Sequence, residues 1–292
     1  MGADAVGFEF CSTKQIQPGP KQIPPGSLEP RLIHEGFAST FTTVLGHEVH
    51  ALVSASEGLK PKQSDNQEVP RQIVMIHGAL ASRRYLLPTA KLLAKSVQVF
   101  VPEMPGHGAS SKPRHALSVE EQAEVLFEWF RLNGLTRTHM FANSYGCQVA
   151  AQLTANHPEI VRRLILTGPT IDPAARSFPQ QAYRLYIDGF AEPSGGRAQL
   201  FADLSDMGVV IAFETVQRMI DDDIRPKLAK INCRALVLRG GKDPIAPQLW
   251  TEEVARRISN ARFCVIPDAP HCVNYATPSQ LTAIVMEFLD EP

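Results

Sequence analysis

The chain has 292 residues, a formal net charge of −1 and 44% hydrophobic residues. That length holds one large domain or two small ones, with enough apolar side chains for a sizeable core. Lys and Arg are spread along the sequence, which excludes a basic stripe for nucleic acid and a polybasic membrane patch.

The N-terminus is interrupted by Asp4 and Glu9, and no apolar run follows a basic start, so no secretion signal is expected. Val6 stands where a myristoylation motif wants Ser or Thr. The longest apolar runs, such as Ile73–Ile76, are strand-sized, well short of the roughly 18 residues of a membrane span. Five scattered cysteines fit reduced thiols and a cytoplasmic location better than a disulfide framework, and none has metal-ligand spacing.

Residues 1–30 carry Pro18, Gly19, Pro20, Pro24, Pro25 and Pro30 and few apolar residues, which predicts an extended arm outside the core. From Arg31 to about Ser56, Thr, Val and Phe alternate with polar residues across Leu45-Gly46-His47, the pattern of an antiparallel hairpin. Gly58 to Arg71 is polar and reads as a surface loop.

Strand and helix signals then alternate, predicting an α/β architecture with a mainly parallel central sheet flanked by helices. The expected strands are Gln72–Ile76, Val97–Val101, His139–Ala142, Leu164–Thr167, Ala235–Leu238 and Arg262–Ile266. Ser118 and Glu121 form a capping box before a helix, and Thr277-Pro278 opens the last one. Between about Ile171 and Ile231 no strand signal occurs. Large apolar residues recur there at helical spacing, including Phe178, Tyr183, Tyr186, Phe190 and Met219. The predicted layout is a core of residues 31–170 and 232–292, with a helical cap at 171–231.

The sharpest motif is Ala142-Asn143-Ser144-Tyr145-Gly146, at a strand end opening a helix. A nucleophile on such a turn needs small residues two places before and after it, because the backbone doubles back closely. The following helix N-terminus favours developing negative charge. A plain capping serine is the alternative. His77-Gly78-Ala79 follows the first parallel strand and places the Ala79 N–H as one oxyanion donor, with the Tyr145 N–H as the other. Asp243 follows the strand Ala235–Leu238, with Asp172 as the rival acid. His271 follows the last strand. A parallel sheet gathers such strand ends at one edge. The candidate triad is Ser144 as nucleophile, His271 as base and Asp243 as its orienting acid.

With these motifs the chain resembles the α/β-hydrolase superfamily over about residues 31–290, most closely its members with a short helical cap. Pro105-Gly106-His107-Gly108 resembles that family's loop after the second parallel strand, where His107 has a structural role. Asn143-Ser144 is similar to the elbow of carbon–carbon bond hydrolases, although Cys272 stands where those enzymes usually have Trp. Ser144 separates the chain from branches with an Asp nucleophile.

The resemblance and the motifs imply hydrolysis of a carboxylic ester, lactone or thioester of an apolar acyl or aryl substrate. Carbon–carbon hydrolysis, a lyase or perhydrolase reaction, and a non-enzymatic receptor are the alternatives. No cofactor or metal is expected. The expected partner is a small-molecule substrate, with a homo-oligomer left open. Carbon–carbon cleavage would call for a cation to grip a substrate carboxylate; Arg176, Arg184, Arg197 and Arg218 are the candidates. An ordinary histidine base would place the acid limb of kcat/KM at about pH 6 to 7.

Overall fold

The structure, a computed structural model, describes residues 9–10, 33–34, 36–55 and 71–291. Most of the Pro-rich arm and the loop expected after Gly58 lie outside the described residues. A ten-stranded sheet runs through the described residues in the order β1-β10-β9-β8-β7-β5-β6-β4-β3-β2. β1 (Glu9–Phe10) and β2 (Ile33–His34) are two-residue edges. The hairpin β3 (Phe37–Val44) and β4 (His47–Ser54) turns at Leu45 and Gly46, whose φ values of 47° and 82° suit the twist of a two-residue hairpin loop.

Every pairing from β1 through β5 to β6 is parallel, and those from β6 outward to β2 are antiparallel. The parallel strands are β5 (Gln72–Ile76), β6 (Gln98–Pro102), β7 (Thr138–Asn143), β8 (Val161–Thr167), β9 (Arg234–Gly240) and β10 (Ala261–Ile266). Their side chains alternate between two cores, as a period of two requires. Val74, Met140, Leu166 and Val237 face one core, with α2 (Val119–Leu132), α3 (Tyr145–Asn156) and α8 (Gln248–Arg257). Ile73, Phe141, Ile165 and Leu236 face the other, with α1 (Arg83–Leu93) and α10 (Pro278–Asp290). Ser118 caps α2 through a complete capping box with Glu121.

Two strands are longer than their apolar runs suggest. β8 begins at Val161 and takes in Arg163, whose guanidinium donates to the Phe288 and Glu291 carbonyls. β9 continues to Gly240 through Arg239, which is buried and donates to the Ala246 and Asp243 carbonyls at 3.0 and 2.7 Å. Buried charge is tolerated where carbonyls satisfy it.

Between β8 and β9 lie α4 (Phe178–Ala191), α5 (Ser194–Met207), α6 (Val209–Asp221) and the short α7 (Arg225–Leu228). Gly208, at φ 78°, separates α5 from α6. The first is tied to α1: Asp203 on α5 accepts from the Ser82 N–H and hydroxyl at 2.8 and 2.7 Å and from Arg84 at 2.6 Å. No described helix is long and apolar enough to cross a membrane.

Glu103, after β6, knots the antiparallel side to α1. Its fully buried carboxylate meets His50 of β4 at 2.8 Å, Arg83 of α1 at 2.7 Å and the Ala109 N–H at 2.8 Å. A Cβ at Gly108 would fall 1.8 Å from that carboxylate, so glycine is needed there. Removing one member of such a cluster strands the others in a poorly solvated place. Glu103→Ala is therefore expected to destabilise the fold by about 3 kcal/mol in urea denaturation; a loss under about 1 kcal/mol, the range of exposed pairs, would show that the cluster matters little.

Candidate active site

Ser144 joins β7 to α3 with φ 58° and ψ −126°. A non-glycine residue held there costs on the order of 1–3 kcal/mol. The cause is the seating of α3 against the end of β5. A Cβ at Gly146 would lie 2.5 Å from the His77 carbonyl oxygen and 2.9 Å from that of Ile76. The Ser144 hydroxyl makes no capping bond to the first turn of α3. The capping-serine alternative therefore does not hold, and the hydroxyl faces a cavity of about 200 Å³.

Ala79 lies on the same cavity wall. The His107 Nε2–H donates to its carbonyl at 2.7 Å, and burial together with neighbouring His77 holds His107 down to about 3, hence neutral. The shorter contact, to the Ala79 carbonyl, places the proton on Nε2, while Nδ1 lies 3.3 Å from the Pro105 carbonyl. Burial also lowers His77, whose Nδ1–H donates to the Gly78 carbonyl while Nε2 accepts from the Met104 N–H. The Tyr85 hydroxyl accepts from the Gly78 N–H at 2.6 Å and donates to Asn143 at 2.9 Å. Asn143 in turn donates to Thr167. Both histidines and Asn143 thus build the turn. Tyr145 opens α3 with a buried side chain, and its N–H belongs to the first turn, where no intrahelical carbonyl is available.

His271 Nδ1–H donates to Asp243 Oδ2 at 2.8 Å, and Asp243 Oδ1 accepts from the Ile245 and Ala246 N–H groups at 2.8 and 2.9 Å. That leaves His271 Nε2 on the cavity side with no hydrogen-bond partner among the described residues. No hydrogen bond joins it to Ser144; bonds of this kind often tighten only once substrate is bound. The rival acid is engaged elsewhere: Asp172 accepts from Ala174 N–H and pairs with Arg184 at 2.6 Å.

Several residues at the site carry no motif. Gly168, at φ 55°, lies under the histidine; a Cβ there would meet His271 Cε1 at 2.9 Å and Asp243 Oδ2 at 3.1 Å. A glycine just after a parallel strand was its only signal. Arg239 holds the Asp243 loop from behind. From α4, Asp188 accepts the His271 N–H at 3.0 Å and Glu192 accepts the Cys272 N–H at 2.7 Å. Burial, then the charge of Asp188, pushes Glu192 up to about 7, and burial raises Asp188 as well.

Burial works against a charged His271, but Asp243, Asp188 and Glu192 outweigh it and raise the imidazole to about 9. Three carboxyl groups thus displace the ordinary histidine value assumed from the sequence. The large apolar residues of the insertion also divide differently from a simple pocket lining. Tyr183, Tyr186 and Phe190 are exposed, while Ala182, Leu185, Leu200, Val216 and Met219 line the cavity. Of the four arginines, Arg176 binds carbonyls at the end of α6, Arg184 binds Asp172, and Arg218 reaches the Ala116 carbonyl. Arg197 lines the cavity and donates to the Gly189 carbonyl.

A strained serine at a strand–helix turn, facing a histidine–carboxylate pair across the C-terminal edge of a parallel sheet, is the arrangement of a hydrolase fold. The chain belongs to the alpha/beta hydrolase family, whose sequence model matches residues 73–284. It is 33% identical over 110 residues to a probable 1-acylglycerol-3-phosphate O-acyltransferase of Oryza sativa, a match covering 36% of this chain and 27% of that relative's length. The chain thus spans about a quarter of that plant protein. A pimeloyl-[acyl-carrier protein] methyl ester esterase of Neisseria meningitidis is 24% identical over 263 residues, covering 79% of this chain and 83% of its own. A 2-hydroxymuconate semialdehyde hydrolase of a Pseudomonas species is 26% identical, covering 75% and 87%. The fold is shared with a hydrolase structure from Pseudomonas aeruginosa, with a TM-score of 0.72, 21% identity and coverage of 87% and 98%.

Two outcomes are expected at this site. Ser144→Ala should lower kcat by about 10⁴-fold or more and abolish labelling by a fluorophosphonate; labelling that survives on the variant would remove Ser144 from the role. Asp243→Asn should be comparably damaging through the wrong histidine tautomer, and Asp172→Asn nearly silent. Because the imidazole must be neutral to accept a proton, a raised value means that kcat/KM climbs with pH until about 9. A rate profile already flat at pH 7 would contradict the three-carboxylate environment.

Proposed function

We propose that the chain is a serine hydrolase that cleaves a carboxylic ester of an apolar acyl or aryl substrate, lactones and thioesters included, through an acyl-enzyme. The reading is carried by the shared cavity, where the Ser144 hydroxyl and the unpartnered His271 Nε2 face one mostly apolar space. Ser144 Oγ attacks the substrate carbonyl as Nε2 takes its proton. The Ala79 and Tyr145 N–H groups receive the oxyanion. Asp243 keeps the proton of Nδ1 in place and stabilises the imidazolium. His271 then gives its proton to the departing alkoxide. Water, deprotonated by the same nitrogen, attacks the acyl-enzyme and releases the acid with Ser144 restored.

In this reading residues 31–170 and 232–292 form the core and 171–231 a cap, since α4 to α7 interrupt the path from β8 to β9 and supply much of the cavity wall. The four described cysteines are free thiols, consistent with a reducing cytoplasm.

The second reading is carbon–carbon hydrolysis, favoured by the similarity to the Pseudomonas semialdehyde hydrolase and by Arg197 at the cavity wall. On the same wall lie His271 and three acids; Asp203 is paired with Arg84, while Asp188 and Glu192 carry negative charge that opposes a carboxylate-bearing substrate. We therefore expect turnover of short- to medium-chain p-nitrophenyl esters, with little activity on carboxylate-bearing ring-fission dienones. Measuring kcat/KM for both on one preparation decides the matter. A dienone preferred by orders of magnitude, with Arg197→Ala selectively destroying that preference, would replace the ester reading.

A further inference from the structure

Helix α4 places two carboxyl groups on the backbone of the segment that carries His271. Asp188 lies in the last turn of α4 and Glu192 is its C-cap residue, where the backbone turns extended. Each takes a consecutive peptide N–H, Asp188 that of His271 at 3.0 Å and Glu192 that of Cys272 at 2.7 Å. Both side chains are largely buried and both line the cavity beside Ser144. The next turn is seated as closely. A Cβ at Gly195 would lie 2.5 Å from the Tyr275 hydroxyl, and one at Gly196 would lie 3.1 Å from the same ring. Residues 188–196 are thus docked along residues 271–275.

The charge of Asp188 opposes ionisation of Glu192, and burial raises both carboxyl groups. Glu192 Oε2 is buried and has no hydrogen-bond partner among the described residues. Two carboxyl groups this near each other in a poorly solvated wall titrate as a pair.

We propose that Asp188 and Glu192 are positioning residues for the hydrolysis described above: a buried carboxyl pair that anchors the His271 loop to the inserted helices and biases His271 toward its protonated form. The inference rests on the serine-hydrolase reading for its catalytic meaning, but the bias on the imidazole is a property of the free protein. An exposed acidic pair on a helix would do neither, because water would solvate it and screen its charge.

The groups facing His271 come from several elements. Asp243 lies after β9, with Arg239 of β9 donating to its carbonyl. Asp188 and Glu192 come from α4, Arg197 from α5 lines the same cavity, and Tyr85 of α1 and the adjacent Cys272 complete the wall. Burial, then Glu192 and Asp188, raises the Cys272 thiol, and burial raises the Tyr85 phenol, so neither supplies charge near neutrality. Asp243 and the carboxyl pair are therefore the anionic neighbours.

Anchoring and charge are separable. Gln or Asn still accepts a peptide N–H but carries no charge, whereas Ala removes both. The test is an NMR titration of the His271 imidazole in otherwise unaltered protein and in the double variant Asp188→Asn/Glu192→Gln, with thermal unfolding as a check on the fold. The double variant, which removes the charge of the pair whichever member carries it, is expected to lower the His271 midpoint by about one unit, the size of effect a close opposite charge has. The kcat/KM profile for p-nitrophenyl acetate should move to lower pH by the same amount. Asp188→Ala/Glu192→Ala, which releases both N–H anchors, should lower the alkaline plateau of kcat by about 10- to 100-fold, the scale of a misplaced catalytic group. An unchanged His271 midpoint in the Asn/Gln double variant overturns the proposal, as does a plateau left intact by the double alanine change. If Ser144→Ala hydrolyses esters as fast as the unaltered protein, the hydrolase reading fails by itself, while the titration still reports on the pair.

Discussion

The seating of α3 on the end of β5 is the contact on which the rest of the site depends. With the Ile76 and His77 carbonyl oxygens within 3 Å of where a side chain at 146 would begin, the chain leaves β7 through a turn that only a forced backbone can make. Ser144 takes that conformation, and its peptide is held by the Thr167 carbonyl on one side and the Cys147 N–H on the other. The same approach brings Gly78 within 3.2 Å of the Ser144 Cβ, if a Cβ were added there, so the turn after β5 and the serine share one small space. Strain of this size persists because β7, fully buried between β5 and β8, over-determines where the turn begins.

The second constraint is electrostatic. An imidazole in an apolar cavity would ordinarily lose its charge, yet three carboxyl groups converge on this one. Asp243 is itself tied down by two peptide N–H groups, and its loop by Arg239, so the pair with His271 is rigid before any ligand arrives. Such preorganised dipoles stabilise charge that forms in the transition state without further rearrangement. The surrounding apolar wall, supplied largely by the inserted helices, strengthens those interactions by excluding water.

The inserted helices consequently do more than cover the cavity. Among their contacts with the core, two are made through carboxyl groups: Asp203 on the start of α1, and Asp188 and Glu192 on the segment after β10. Both contacts use carboxylates on backbone N–H groups, which fixes geometry over short distances with little dependence on side-chain packing. The outward aromatic residues of α4, by contrast, make no claim on the cavity.

The sequence by itself determined what local stereochemistry can encode. Short apolar runs marked β5, β6, β7 and the cores of β8, β9 and β10. A Ser-x-x-Glu box marked the start of α2, and small residues around Ser144 marked a close turn. The alternation of strand and helix then implied a parallel sheet whose strand ends gather Ser144, Asp243 and His271 at one edge, and all three residues do lie at that edge. Other features required the tertiary structure. Strands β8 and β9 run on through Arg163 and Arg239, past the apolar runs, because folding brings carbonyls such as those of Phe288 and Asp243 to their guanidinium groups. Asp188 and Glu192 read as ordinary acids on a helix, since their partners lie 83 and 80 residues away. Which arginine meets the cavity, which aromatic residues turn outward and how far His271 is raised all depend on how the inserted helices rest on the sheet. Backbone propensity and periodicity act over a few residues. Burial and charge act through space, so they become definite only once distant segments are packed together.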